Sequence, residues 1–177
     1  ISGFAGSGAS YSATFTPTTD GATSISVAAN AFTDSAANGN AASATFSWTY
    51  DAVAPTVTIT SSTVTSGDTS NDSSIALSFT LSEAATDFAA ADIAVTNGTI
   101  SSFSGSGTAY TATFTPTSDG ATSISVPANR FTDTASNGNT ASSAFSWTYD
   151  STAPTVTLSS STVTSGDTTN DSSIALS

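Results

Sequence analysis

Residues 75–81 read IALSFTL. Ile75, Leu77, Phe79 and Leu81 take every second position, with Ala76, Ser78 and Thr80 between them. A strand points successive side chains to opposite faces, so this spacing gives a ribbon with one apolar side and one polar side. A helix would scatter the same four residues around its axis. The stretch reads as a half-buried strand, and the fold turns on how many more like it the chain holds.

The pattern recurs in both directions. Val57 and Ile59 alternate with Thr56, Thr58 and Thr60; Ile93 and Val95 follow, then a short segment around Ile100 and Phe103. Tyr110, Ala112 and Phe114 come next, then Ile124 and Val126, then Phe145, Trp147 and Tyr149. These runs favour β-branched and aromatic residues, and no helical period competes with them. Between strands, Asn97-Gly98 is expected to close a two-residue hairpin, since both central positions favour positive φ. Asp119-Gly120 and Asp20-Gly21 look like the same device, and Gly105-Ser106-Gly107 is another break. Seven short strands with such turns predict an all-β fold, an immunoglobulin-like β-sandwich whose inner faces form the core.

The sequence also repeats itself. ISGFAGSGASYSATFTPTTDGATSISV at 1–27 returns as ISSFSGSGTAYTATFTPTSDGATSISV at 100–126. The offset of 99 residues holds through FSWTYD, APTVT and TVTSGDT to the last residue, with no insertion or deletion. A period of that length fits one whole small domain rather than one layer of a solenoid. The expected division is residues 1–51 as the C-terminal part of one repeat, 52–150 as a complete repeat, and 151–177 as the first strands of the next. Such a chain reads as an excerpt from a longer tandem array. Its opening residues, ISGFAGSG, show no basic segment followed by an apolar one, so no signal peptide is expected there.

Charge narrows the function classes. The net charge is −12, from 13 acids against Arg130 alone, without Lys or His. Nothing is available to neutralise phosphates, which excludes nucleic acid as a partner, and anionic membrane surfaces are disfavoured for the same reason. No apolar run is long enough to span a bilayer, so no direct membrane contact is expected. Cations are favoured. The absence of Cys, His and Lys removes the thiolate, imidazole and amine groups of most catalytic sites, and the chain reads as non-enzymatic. Ser and Thr make up roughly two residues in five, an unusual share for a globular chain.

The run LSEAATDFAAADIAVTNGTISSFSGSGTAYTATFTPTSDG, followed by FTDTASNGN and WTYDSTAPTV, resembles the bacterial Ig-like repeats of giant RTX-type and biofilm-forming surface adhesins. The resemblance covers essentially the whole chain. It implies an extracellular, bacterial cell-surface array whose modules space a distal binding domain from the cell, with calcium at the domain junctions in several such families.

The acids test the calcium idea independently. If seven strands run antiparallel, the second, fourth and sixth loops share a pole with the incoming linker. The second loop carries Glu83 and Asp87, the sixth carries Asp133, Asn137 and Asn139, and the linker carries Asp51. At the other pole the first loop supplies Asp68, Asn71 and Asp72, the fifth supplies Asp119, and the outgoing linker carries Asp150. Asp34 holds in the first copy the place of Asp133, and Asp92 lies near the first junction. Ca²⁺ takes six to eight hard oxygens from carboxylates, amides and backbone, which these poles offer. No EF-hand loop is present, and zinc or copper would want His or Cys. Asp119 and Asp20, in Asp-Gly turns, read instead as turn residues, while Asp68 and Asp72 fit either role. The complete unit has eight acids against Arg130, a net −7, so stacked poles would repel without a bound cation.

Other features have plainer readings. Alternating Thr fits solvent-facing strand positions better than an ice-binding array. Asn71, Asn97 and Asn170 head Asn-x-Ser/Thr triplets, common by chance in such a composition. Phe145, Trp147 and Tyr149 share the inner face and are expected in the core rather than on a sugar. Two functions remain. The chain is either an extender segment whose partners are neighbouring repeats, or a subunit of an extracellular filament, sheath or matrix fibre packed laterally or end to end with copies of itself.

Overall fold

The computed structural model describes residues 1–177. In the first copy β1 (Ser2–Ser7) pairs antiparallel with β2 (Ser10–Thr14), and β3 (Gly21–Ile25) with β4 (Phe46–Tyr50). The complete copy adds β5 (Val57–Ser61), the two-residue β6 (Thr69–Ser70), β7 (Ile75–Ala85), β8 (Ala94–Thr96), β9 (Gly98–Pro116), β10 (Gly120–Ser125) and β11 (Phe145–Tyr149). A single 3₁₀ turn, Ala90–Asp92, is the one helical element.

Two sheets form. One has the order β5-β7-β9, the other β6-β11-β10-β8. The long β9 doubles back on itself: Ser101 Oγ donates to the Thr113 carbonyl, Ser104 Oγ lies 3.3 Å from Thr111 Oγ1, and Gly105 packs against the backbone of Ala109 and Tyr110. A Cβ on Gly105 would fall 2.3 Å from the Ala109 carbonyl, so only glycine fits that bend. The segments around Phe103 and Tyr110 are thus two limbs of one hairpin, as the Gly105–Gly107 break suggests. Counting them separately, the first, second, fifth and fourth strands make one sheet and the third, sixth and seventh the other. This is the constant-type immunoglobulin arrangement. β6 is an addition: the chain leaving β5 crosses to the other sheet and pairs parallel with β11 through Thr69–Thr148 and Ser70–Tyr149.

The alternation along β7 survives intact. Ile75, Leu77, Phe79 and Leu81 are buried while Ala76, Ser78 and Thr80 face solvent. From the facing sheet come Ile124, Val126, Phe145 and Trp147, and Phe114 meets Trp147 edge-on with ring centroids 4.9 Å apart. Each such side chain contributes about 1.5–3 kcal/mol on burial, which makes this inner layer the main source of stability. Phe145 and Trp147 belong to it, so they are core residues.

The turn expectations need correction. Asn97-Gly98 does not close a hairpin, because β8 and β9 lie in different sheets. Asn97 does take positive φ (56°), but Gly98 does not; a Cβ there would sit 2.1 Å from the Phe114 ring. Glycine is demanded by close packing instead of by a turn. Asp119-Gly120 likewise joins β9 to β10 across the sandwich, and Asp20-Gly21 is its counterpart in the first copy. Their carboxylates have another use, described below.

Candidate metal centre at the linker

The loop 129–139 is held by its own hydrogen bonds. Asn129 N–H donates to the Asn139 carbonyl at 2.9 Å and Asn139 N–H to the Phe131 carbonyl at 3.1 Å, with Asn129 (φ 57°) and Ser136 (φ 72°) in the left-handed region. Phe131 anchors the loop in the core at 1% exposure. Asn139, also buried, accepts from the N–H groups of Arg130 and Phe131 through Oδ1 and donates through Nδ2 to the Pro127 and Thr140 carbonyls. All of its amide capacity serves the loop. Gly138 is fixed by Asn129, whose Oδ1 would lie 2.5 Å from any added Cβ.

This frame aims Asp133. Its Oδ1 accepts from Ala135 N–H (2.8 Å) and Asn137 N–H (2.9 Å), and its Oδ2 from Asn137 Nδ2 (2.9 Å). Burial pushes its carboxyl up, but the donors of Asn137, Ala135 and Ser136 outweigh that and hold it below the ordinary 3.8. A backbone bridge between Ala85 and Asp133 docks the loop on the end of β7.

Glu83 therefore lies alongside. It sits within β7 rather than in the loop that follows, in the same inward row as Leu81 and Ala85. An acid in phase with a core row is out of place unless the sandwich opens there, and here it opens at the pole. Burial raises its pKa above the ordinary 4.5, reinforced by the charges of Asp51, Asp133 and Asp20. Asp51 arrives from the linker after β4. Carboxylate oxygens of Asp51, Glu83 and Asp133 all lie within 4.8 Å of one another, with Asp133 buried and the other two half-buried. Three like charges so close, in a chain whose only basic side chain is Arg130, form a cluster that could hold a metal ion. The all-oxygen donor set suits a hard cation.

The other candidates go elsewhere. Asp87 clips two loops together by accepting from Thr132 N–H and Thr132 Oγ1. Asn137 bridges Asp133 to the Asp51 carbonyl, donating to the latter at 3.2 Å. Asp68 accepts from Thr65 N–H and Asp72 from Ser70 Oγ, each closing its own turn. Asp150 accepts from Thr152 N–H. Asp34 repeats the bonds of Asp133, with Asn38 and Ala36 as donors, and its pKa is lowered by the Asn38 side chain first. Asp92 accepts from Ala89 N–H.

Asp20, expected only to serve its Asp-Gly turn, also faces this joint. Its charge reaches Glu83, and its Oδ1 takes the Ala52 N–H at 2.7 Å. Asp119 does the same for the outgoing linker, accepting from Ser151 N–H and Oγ and from Thr152 Oγ1; these bonds, that of Thr152 foremost, lower its pKa. The signal was present in the repeat: each Asp-Gly turn is matched by a linker starting with Asp one strand pair later.

Among curated proteins the chain has no match. Residues 51–149 match the model of the bacterial Ig-like domain. Such domains are generally non-catalytic modules and are common in secreted or surface proteins. The matched span opens on the linker aspartate and closes with β11, so it takes in both sheets and all three carboxylates of the cluster. The chain belongs to the bacterial Ig-like domain family.

Proposed function

We propose that this chain is a structural extender segment of a large tandem-repeat adhesin on the bacterial surface, in which Ca²⁺ at each linker stiffens the rod. The observation behind this reading is the meeting of Asp51, Glu83 and Asp133 from a linker, a strand and a loop. These three would be the protein ligands, with water completing the six to eight oxygens that Ca²⁺ takes. When bound, the ion supplies positive charge and a fixed set of oxygen directions.

The protein's part is to present the carboxylates. The loop 129–139 between β10 and β11 holds Asp133 rigid, β7 holds Glu83, and Asp51 sits on the segment whose direction is to be fixed. Without a counter-ion the three acids repel across the joint. With Asp51, Glu83 and Asp133 holding a cation, that repulsion would be offset and the linker would be fixed against the domain that follows. The partners in this reading are the neighbouring repeats.

Calcium titration calorimetry on the chain, with small-angle scattering in Ca²⁺ and in EDTA, tests it. Binding of about one to three ions per joint with a longer maximum dimension supports the stiffened rod. No binding, or binding with unchanged dimensions, removes calcium from the account.

One observation favours the filament reading: no charged residue occurs between Ile93 and Ser118, so β8 and β9 give the domain an uncharged flank. Single thin rods in electron micrographs fit the extender, and ordered bundles fit the filament.

A further inference from the structure

The first linker is tied on both sides through one peptide group. The Ala52 N–H donates to Asp20 Oδ1 at 2.7 Å, and Asp20 belongs to the first copy, in the turn between β2 and β3. The Asp51 carbonyl accepts from Asn137 Nδ2 at 3.2 Å, and Asn137 belongs to the loop of the complete copy. That carbonyl and that N–H are the two ends of a single peptide plane. The chain has no cis peptide bonds, so the two point in opposite directions. A rigid plate thus stands between the copies, gripped by a carboxylate of the upstream one and an amide of the downstream one.

We propose that the Asp51–Ala52 peptide is a two-sided latch, which sets the orientation of neighbouring copies without any ion. Neighbouring bonds keep the plate from turning. Val53 N–H donates to Asp51 Oδ1 at 3.0 Å, and Thr140 N–H to the Pro55 carbonyl at 2.9 Å. Asn137 is itself held by Asp133, through both its N–H and its Nδ2. To swing one copy against the other, the chain must give up the bond to Asp20 or the bond to Asn137.

The upstream half of the latch recurs at the second linker. Ser151 N–H donates to Asp119 Oδ1 at 2.8 Å, and Asp150 N–H donates to the Ser70 carbonyl at 3.0 Å. There Asp119 also takes two hydroxyls, from Ser151 and Thr152, where the first linker offers Ala52 and Val53. The two residues after the linker aspartate therefore set the grip. Asp-Ser-Thr is held by three bonds to the turn carboxylate and Asp-Ala-Val by one, which makes the Ser-Thr linker the stiffer type.

The test is amide exchange measured by NMR on the whole chain in EDTA, so that it stands or falls apart from the metal centre. The expected result is slow exchange at both Ala52 and Ser151. Asp20→Ala should speed Ala52 by at least about fivefold, the worth of one lost hydrogen bond, and leave Ser151 unchanged; Asp119→Ala should do the reverse. Residual dipolar couplings should place β3–β4 and β10–β11 in one common frame, which Asp20→Ala separates. Unprotected exchange at Ala52 in the unsubstituted chain overturns the latch. So does an Asp20→Ala chain that keeps both the slow exchange and the common frame.

Discussion

The loops at 30–40 and 129–139 differ only at Ala31/Arg130, Ser35/Thr134 and Ala37/Ser136, and they fold alike in very different surroundings. Asn30 and Asn129 take φ of 58° and 57°, and both donate to the asparagine ten residues on at 2.9 Å. Asp34 and Asp133 accept the same three donors. Yet Phe32 is 63% exposed where Phe131 is 1%, because Phe131 packs in a core built with β5, β7 and β8 while residues 1–51 form only the pairs β1–β2 and β3–β4. The hairpins agree too, Gly21 pairing with Tyr50 as Gly120 does with Tyr149. Local geometry here comes from sequence and hydrogen bonding, whereas burial comes from the rest of the domain. The turn chemistry of Phe-Thr-Asp therefore needs no metal to form. The metal reading rests only on what the second loop meets.

The largest effect should separate the two phenylalanines. Phe131→Ala should cost the domain about 3–5 kcal/mol in chemical denaturation, while Phe32→Ala should stay within about 0.5 kcal/mol. Equal costs would mean that the first copy is covered in solution. Next come the asparagines. Asn139→Ala strands buried donors and acceptors and should cost about 2–3 kcal/mol, against under about 1 kcal/mol for the half-buried Asn40, whose partners water can reach. Similar losses at both would place more order in the first loop than its exposure implies.

The smallest effect is on titration. Asp34 and Asp133 both have pKa values below 3.8 in the folded chain, so each contributes stability above that pH and loses it as pH falls through the lowered value. Glu83 has the opposite sign. Its raised pKa means the folded chain binds the proton more tightly, so stability declines as pH rises through 4.5 toward the folded value. Carboxyl NMR titration should find Asp34 and Asp133 low, Glu83 high, and Glu83 moving down in Asp133→Asn. An unchanged Glu83 would break the claim that the two acids feel each other.

The strands were legible because alternation is a local code: β7 and β11 each show their inward row in the sequence. The shared pole was legible too, since counting antiparallel strands is enough to bring Asp51 and Asp133 to the same end. Glu83 was placed in a loop because its charge hid that it is in phase with Leu81. Asn97-Gly98 misled for a different reason. A hairpin turn and a passage between sheets both use Asn at positive φ, and only Phe114, 16 residues further on, explains the glycine. The linker bonds of Asp20 and Asp119 were invisible because they run across 32 residues, a distance no turn pattern encodes.

β7 runs almost the full height of the sandwich, and its 11 residues span about 36 Å. The acids gather at the two ends of that span and leave the middle neutral. At physiological salt the screening length is about 8 Å, so one acidic end does not sense the other. In an array built from this unit, joints would act independently of one another in series, and their compliances would simply add. Under the proposed calcium stiffening, raising the cation concentration would lengthen the polymer gradually, joint by joint, with no threshold at which the whole chain snaps straight.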